Sequence, residues 1–282
     1  MRLLVVGAGD LGLRVAALHA ATGHPVIAVK RKPVALPPGV QGLWSDVARL
    51  DRSMLPPVDG VLYCLTPDRR DAQAYRETYV EGLSTLLGVV DSARTRPRLL
   101  FAGSTAVYPG EDARVVDEYS LADADELARL PFNGQILREA EALLQARGQA
   151  CALRIGGIYG PGREMLLRRL RTPGASVQRQ PPLWTNRIHI EDVARAVLHL
   201  LDLPELPPVV NLVDDAPCPQ AEVLDGLAAM LGLPALPEST EPSVGQGKRV
   251  ANALLRSLGF RCRYPGWREG YAAMLGIEPL QR

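Results

Sequence analysis

The amino-acid sequence predicts an α/β fold, a doubly wound parallel sheet with a small C-terminal subdomain, on three observations. Short apolar runs alternate with longer helical patterns through the first 160 residues. A glycine-rich turn joins the first apolar run to the first helical stretch. Proline and glycine then accumulate in Pro161-Gly162, Pro173-Gly174 and Pro181-Pro182, which marks a change of architecture. Strands that alternate with helices build a parallel sheet covered on both faces.

In chain order, Leu3 to Val6 is a short apolar strand and Leu13 to Ala21 an Ala-rich helix. Thr22-Gly23-His24-Pro25 turns the chain into a second strand, Val26 to Val29, parallel to the first. Gly60 to Leu65 reads as a buried strand, Ala72 to Ala93 as one long helix, and Arg98 to Ala102 as the next strand. Pro131 to Arg147 carries Ala140, Leu143 and Leu144 among charges, as an amphipathic helix does, and Ala150 to Ile155 is a strand. Loops around one basic helix, Arg163 to Arg171, come next. Helix Glu191 to Leu203 and strand Val209 to Val213 return to the main sheet, and further helices are expected from Gln220 to Leu231 and from Lys248 to Leu258. The expected domains are 1–160 with 187–213, and a substrate-side subdomain of 161–186 with 214–282.

With 282 residues, 47% hydrophobic and 22% charged, and a net charge of +1, the chain can bury a sizeable core and points to neither nucleic acid nor an anionic membrane. No apolar run approaches the ~20 residues of a membrane span. Cys64, Cys151, Cys218 and Cys262 are scattered, with no CxxC pair, so a reducing cytoplasm is expected and a metal is not. Oligomeric state leaves no mark on the sequence.

The turn is Gly7-Ala8-Gly9-Asp10-Leu11-Gly12. In Gly-x-Gly-x-x-Gly the first glycine permits the turn, the second lets backbone approach a diphosphate, and the third lets helix and strand pack closely. Between a strand and a helix, this spacing predicts a Rossmann-type dinucleotide site, with the helix N-terminus facing the phosphates. An NAD-selective site carries an acidic residue some 20 positions on, to accept from the ribose hydroxyls. Here no Asp or Glu occurs between Leu11 and Ser45, and Lys30-Arg31-Lys32 ends the second strand. Three cations suit a 2′-phosphate, so NADP is the expected cofactor, with NAD as the alternative.

Along nearly its whole length the chain resembles an extended short-chain dehydrogenase/reductase, the group of NAD(P)-dependent epimerases and dehydratases, in an atypical form. Phe101-Ala-Gly-Ser104-Thr105-Ala-Val-Tyr108 resembles that group's fifth strand, and Ser104 falls on its active-site serine. The segment from Leu153 to Gly162 resembles the one that passes the nicotinamide, which implies a cofactor role for Gly157 and Ile158. Asp46 matches the residue that meets the adenine, and Leu65 and Thr66 are assigned to the cofactor as well. Arg187 to Ala194 and Val210 to Asp214 resemble the late helix opening and strand. The departure is the group's Tyr/Lys pair, in which lysine lowers the phenol's pKa for proton transfer. Asn133 stands at the Tyr position and Leu137 at the Lys position, and the chain's lysines are only Lys30, Lys32 and Lys248.

The remaining candidates are Ser104 to position a substrate oxygen, and Tyr108 and Tyr159 as substitute acids, although tyrosines at such places more often pack with the hydroxyl satisfied. Arg163 and Arg187, with Arg168, Arg169 and Arg171 nearby, are candidate contacts for an anionic substrate, or else a solvated basic face. The expected function is an NADP-linked oxidoreductase or epimerase on a small hydroxyl or carbonyl compound. A catalytically silent NADP sensor is the alternative.

Overall fold

The structure, a computed structural model, describes residues 1–91, 96–110, 112–120 and 123–278. Its central parallel sheet has seven strands: β1 (Leu3–Val6), β2 (Val26–Lys30), β3 (Val40–Trp44), β4 (Gly60–Tyr63), β5 (Arg98–Ser104), β6 (Ala150–Ile155) and β7 (Val209–Leu212). They run in the order β7-β6-β5-β4-β1-β2-β3. Strand order therefore reverses beside β1, and in such sheets a crevice opens at the carboxyl ends of the strands at that point. Val6 of β1 lies level with Val29 of β2 and Tyr63 of β4, so the loops after these three strands emerge together.

Leu3 to Val6, Val61 to Tyr63 and Leu99 to Phe101 are wholly buried, which is why these strands read as unbroken apolar runs. Sequence periodicity does not reveal β3. It is an edge strand behind a Pro-rich stretch, each of its residues keeps some exposure, and Trp44 remains 41% exposed.

The single helix expected from Ala72 to Ala93 is corrected to three pieces. These are an α turn at Ala72–Arg76, a π turn at Glu77–Glu81 and a helix at Gly82–Val90, while Ala93 lies outside the described residues. The buried Tyr63 hydroxyl donates to the Thr78 carbonyl at 2.5 Å, and a Cβ at Gly82 would stand 2.6 Å from that hydroxyl. A buried phenol needs an acceptor, and the wider turn releases one. Helices expected elsewhere form at Phe132–Arg147, Met165–Leu170, Ile190–Asp202 and Gln220–Met230.

The helix expected from Lys248 to Leu258 forms only at Ala253–Ser257. The Asn186 amide donates to the Lys248 carbonyl at 2.9 Å and accepts from the Val250 N–H at 2.7 Å, drawing Arg249–Val250 into a ladder with Val115–Val116. A further helix, Trp267–Leu275, is announced in the sequence only by apolar residues at 267, 271, 274 and 275.

The chain divides into two compact units: residues 1–107, 127–154 and 194–210, and residues 108–126, 155–193 and 211–282. It passes from one to the other five times, after 107, 126, 154, 193 and 210. The second unit thus contains residues 108–126, 155–160, 187–193 and 211–213, which the sequence reading places with the dinucleotide domain. Its core includes one cluster of Tyr159, Leu167, Cys218, Val223, Leu227, Trp267 and Tyr271 and another of Val177, Ala221, Leu224 and Leu236.

Candidate functional site

The loops after β1, β2, β3 and β4 surround a cavity of about 1140 Å³ in the first unit. Gly7, Ala8 and Gly9 line it, with Lys30, Arg31 and Lys32, Asp46 to Arg49, Leu65, Thr66 and Asp68. Glu77, Thr78 and Glu81 of the π turn face it too, residues that nothing in their local sequence singles out.

Each glycine of the loop has its own task. Gly7 has φ +113°, and a Cβ there would fall 2.7 Å from the Cys64 carbonyl, so conformation and space both require glycine. A Cβ on Gly12 would lie 2.1 Å from the Gly7 oxygen, so this glycine sets how closely helix Asp10–Ala21 approaches β1. A Cβ on Gly9 would meet nothing within 4 Å. The protein itself gains nothing from the bare position; a group lying on the loop would. Asp10, Leu11 and Gly12 form the first turn of that helix, which has no side-chain cap, so its leading N–H groups face the mouth of the loop.

The three cations at the end of β2 are not equivalent. Lys30 donates its ammonium to the Ala8 carbonyl at 3.0 Å, bracing the glycine loop. Arg31 donates Nη1 and Nη2 to the two carboxylate oxygens of Asp68 at 2.5 and 2.6 Å. Asp46 accepts from the Ala48 N–H at 3.0 Å and so caps the 3-10 turn Val47–Arg49 on the cavity wall. Cys64 donates its thiol to the Gly7 oxygen at 3.2 Å, and burial pushes its pKa up to about 12, which makes it a packing residue.

Ser104 ends β5 half-buried, and its Oγ accepts from the Ala106 N–H at 3.2 Å, leaving its own hydrogen free to be donated. The Phe132–Arg147 helix packs against the turn that follows: a Cβ on Gly134 would stand 2.5 Å from the Ala106 carbonyl. Asn133 is half-buried in this first helical turn, and Leu137, one turn on, is 3% exposed and part of the core.

In the second unit, Tyr108 is buried, its hydroxyl donates to Asn211 Oδ1 at 2.8 Å, and its carbonyl accepts from Lys248 Nζ at 2.6 Å. Burial lowers the Lys248 pKa to about 8. Tyr159 stacks on Tyr271 with ring centroids 4.6 Å apart, and its hydroxyl donates to the Gly266 carbonyl at 3.2 Å. Burial raises its pKa far above that of a free phenol, the reverse of what an acid working near neutrality requires. Gly157 and Ile158 form a short strand paired with Arg187–His189. Arg163 is half-buried. Arg187 is 5% exposed and donates Nη2 to Thr185 at 2.5 Å, with the buried Asp214 carboxyl group in its field. His189 lies against Tyr159 and Tyr264, a packing role. Among the described residues no cluster has the makings of a metal site, and no helix is long and apolar enough to cross a membrane.

Residues 3–212 match the family model described as NAD dependent epimerase/dehydratase family. A solved structure from Methylobacillus flagellatus, described as a candidate NAD-dependent epimerase/dehydratase, is 32% identical, with a TM-score of 0.80 over 98% of this chain and 97% of that one. Protein YeeZ of Escherichia coli (strain K12) is 26% identical, covering 94% of this chain and 96% of its own. The human epimerase family protein SDR39U1 (isoform2) with NADPH shares the fold, at 22% identity and a TM-score of 0.77 over 98% and 99% of the two chains.

Proposed function

The chain belongs to the NAD dependent epimerase/dehydratase family, and from that premise we propose that it binds NADP(H) in the first unit's cavity and transforms a small hydroxyl or carbonyl compound as an oxidoreductase or epimerase. The observation that carries this is Gly9, bare where a side chain would meet no protein atom, beside an uncapped helix start. The loop amides would hold the diphosphate, Arg31 and Lys32 a 2′-phosphate, and Asp46, Leu65 and Thr66 the flanking groups. When bound, such a cofactor supplies or accepts hydride. Ser104, with a hydrogen to donate, would orient the substrate oxygen. Arg163 is the cation we assign to an anionic substrate.

Tyr108 and Tyr159 both have their hydroxyl hydrogens engaged by neighbours, which favours packing over proton transfer. With Leu137 in the core where the family's lysine would stand, a second reading gains ground: a binding module that senses NADP without turnover. All four cysteines carry thiols rather than disulfides, which suits a reducing cytoplasm. A panel of carbonyls and alcohols, followed by NADPH absorbance with Ser104→Ala as control, tests the reading. Turnover that Ser104→Ala lowers by at least about tenfold supports the enzyme. Tight NADPH binding without turnover on any compound points to the sensor.

A further inference from the structure

Arg31 and Asp68 are 37 positions apart in sequence, yet both line the cavity and join in a two-pronged ion pair. Arg31 follows β2 and Asp68 follows β4, the strands on either side of β1. Their pair therefore ties together the loops that flank the glycine loop. Of the cations at the end of β2, Lys30 is engaged with the Ala8 carbonyl, so a 2′-phosphate arriving there has Arg31 and Lys32 to meet. The guanidinium fork that would grip it is already filled by a carboxylate, which would also repel the phosphate's charge. The two side chains are 57% and 59% exposed, and an exposed pair of this kind is weak enough for an incoming anion to displace.

We propose that Asp68 sets the choice between the two nicotinamide dinucleotides: it holds Arg31 in the resting protein and must release it to a 2′-phosphate, whereas a cofactor without that phosphate leaves the pair closed. This rests on the cofactor reading of the cavity. Asp68 thus works as a counterweight, keeping a site rich in cations from responding to every phosphate it meets.

The test is the dissociation constants of NADPH and NADH for the full-length protein, by calorimetry, in wild type, Asp68→Asn, Arg31→Gln and the double variant, each checked for folding by circular dichroism. Asp68→Asn is expected to tighten NADPH by about three- to tenfold, leave NADH within about twofold, and lose its effect in the Arg31→Gln background. An unchanged NADPH/NADH ratio in Asp68→Asn overturns the proposal while leaving the cofactor reading in place. Weaker NADH binding in that variant overturns it as well, and makes Asp68 an acceptor for the ribose hydroxyls. If wild type takes up neither nucleotide, the cofactor reading falls and the proposal with it.

Discussion

Two glycines three positions apart should respond oppositely to the same enlargement. Gly9 has φ −89° and open space around its absent side chain, so Gly9→Val should leave the unfolding midpoint within about 2 °C of wild type, yet weaken NADPH at least about tenfold by blocking the loop. Gly12→Val drives a side chain into the Gly7 carbonyl and should cost about 1–3 kcal/mol or more in urea unfolding. Full NADPH affinity in Gly9→Val would remove the diphosphate from this loop. A different residue governs pH. Burial raises the Asp214 carboxyl to about 8, countered in part by Arg187 and reinforced by Asp215 and Glu269. A group whose pKa rises on folding contributes stability that is complete below its unfolded pKa and fades as pH climbs to the folded value. Stability should therefore decline from about pH 4 to pH 8, by an amount on the order of a few kcal/mol, and Asp214→Asn should flatten that slope. A wild-type urea midpoint that does not change between pH 5 and 9 would refute this.

Between elements, the Phe132–Arg147 helix is fastened to β6 by a buried ion pair: Arg154 donates Nε and Nη2 to Glu141 at 2.9 and 2.8 Å, and both side chains are 3% exposed. Removing one member strands a buried charge, so Glu141→Ala should cost about 3–5 kcal/mol, whereas replacing both by apolar residues of similar volume should cost far less. Equal losses in the single and double variants would show that the pair's packing, and not its charge, matters. Neither Glu141 nor Arg154 stands out in sequence, because a helix charge ordinarily faces water and only the tertiary fold turns this one inward. The strands that were legible, β1, β2, β4, β5, β6 and β7, are those buried enough to read as apolar runs. β3 and the π turn were not, since one keeps an edge in solvent and the other exists to serve a buried phenol.

At the scale of the molecule, nucleotide uptake should register as heat resistance. At 100 times its dissociation constant a ligand adds about 2.7 kcal/mol, so saturating NADPH should raise the thermal midpoint by about 5 °C, read by scanning calorimetry. No rise with NADPH or NADH would count against a dinucleotide site. The glycine loop of the candidate site was legible in the sequence because glycine spacing is a local demand on one turn. The Arg31–Asp68 pair was not, because it joins loops from two strands that only the sheet order brings side by side. Nor could the sequence show that Tyr108 and Tyr159 have their hydroxyls engaged, since the partners, Asn211 and Gly266, lie more than 100 positions away.

The five passages of the chain between its two units also constrain how such a protein is inherited or dissected. No contiguous fragment holds one unit free of the other: 1–210 carries the whole first unit together with 108–126 and 155–193 of the second, and 108–282 carries the whole second unit together with 127–154 and 194–210 of the first. Recombination that swaps a stretch crossing any of these five points for a homologue's would transplant parts of both units at once.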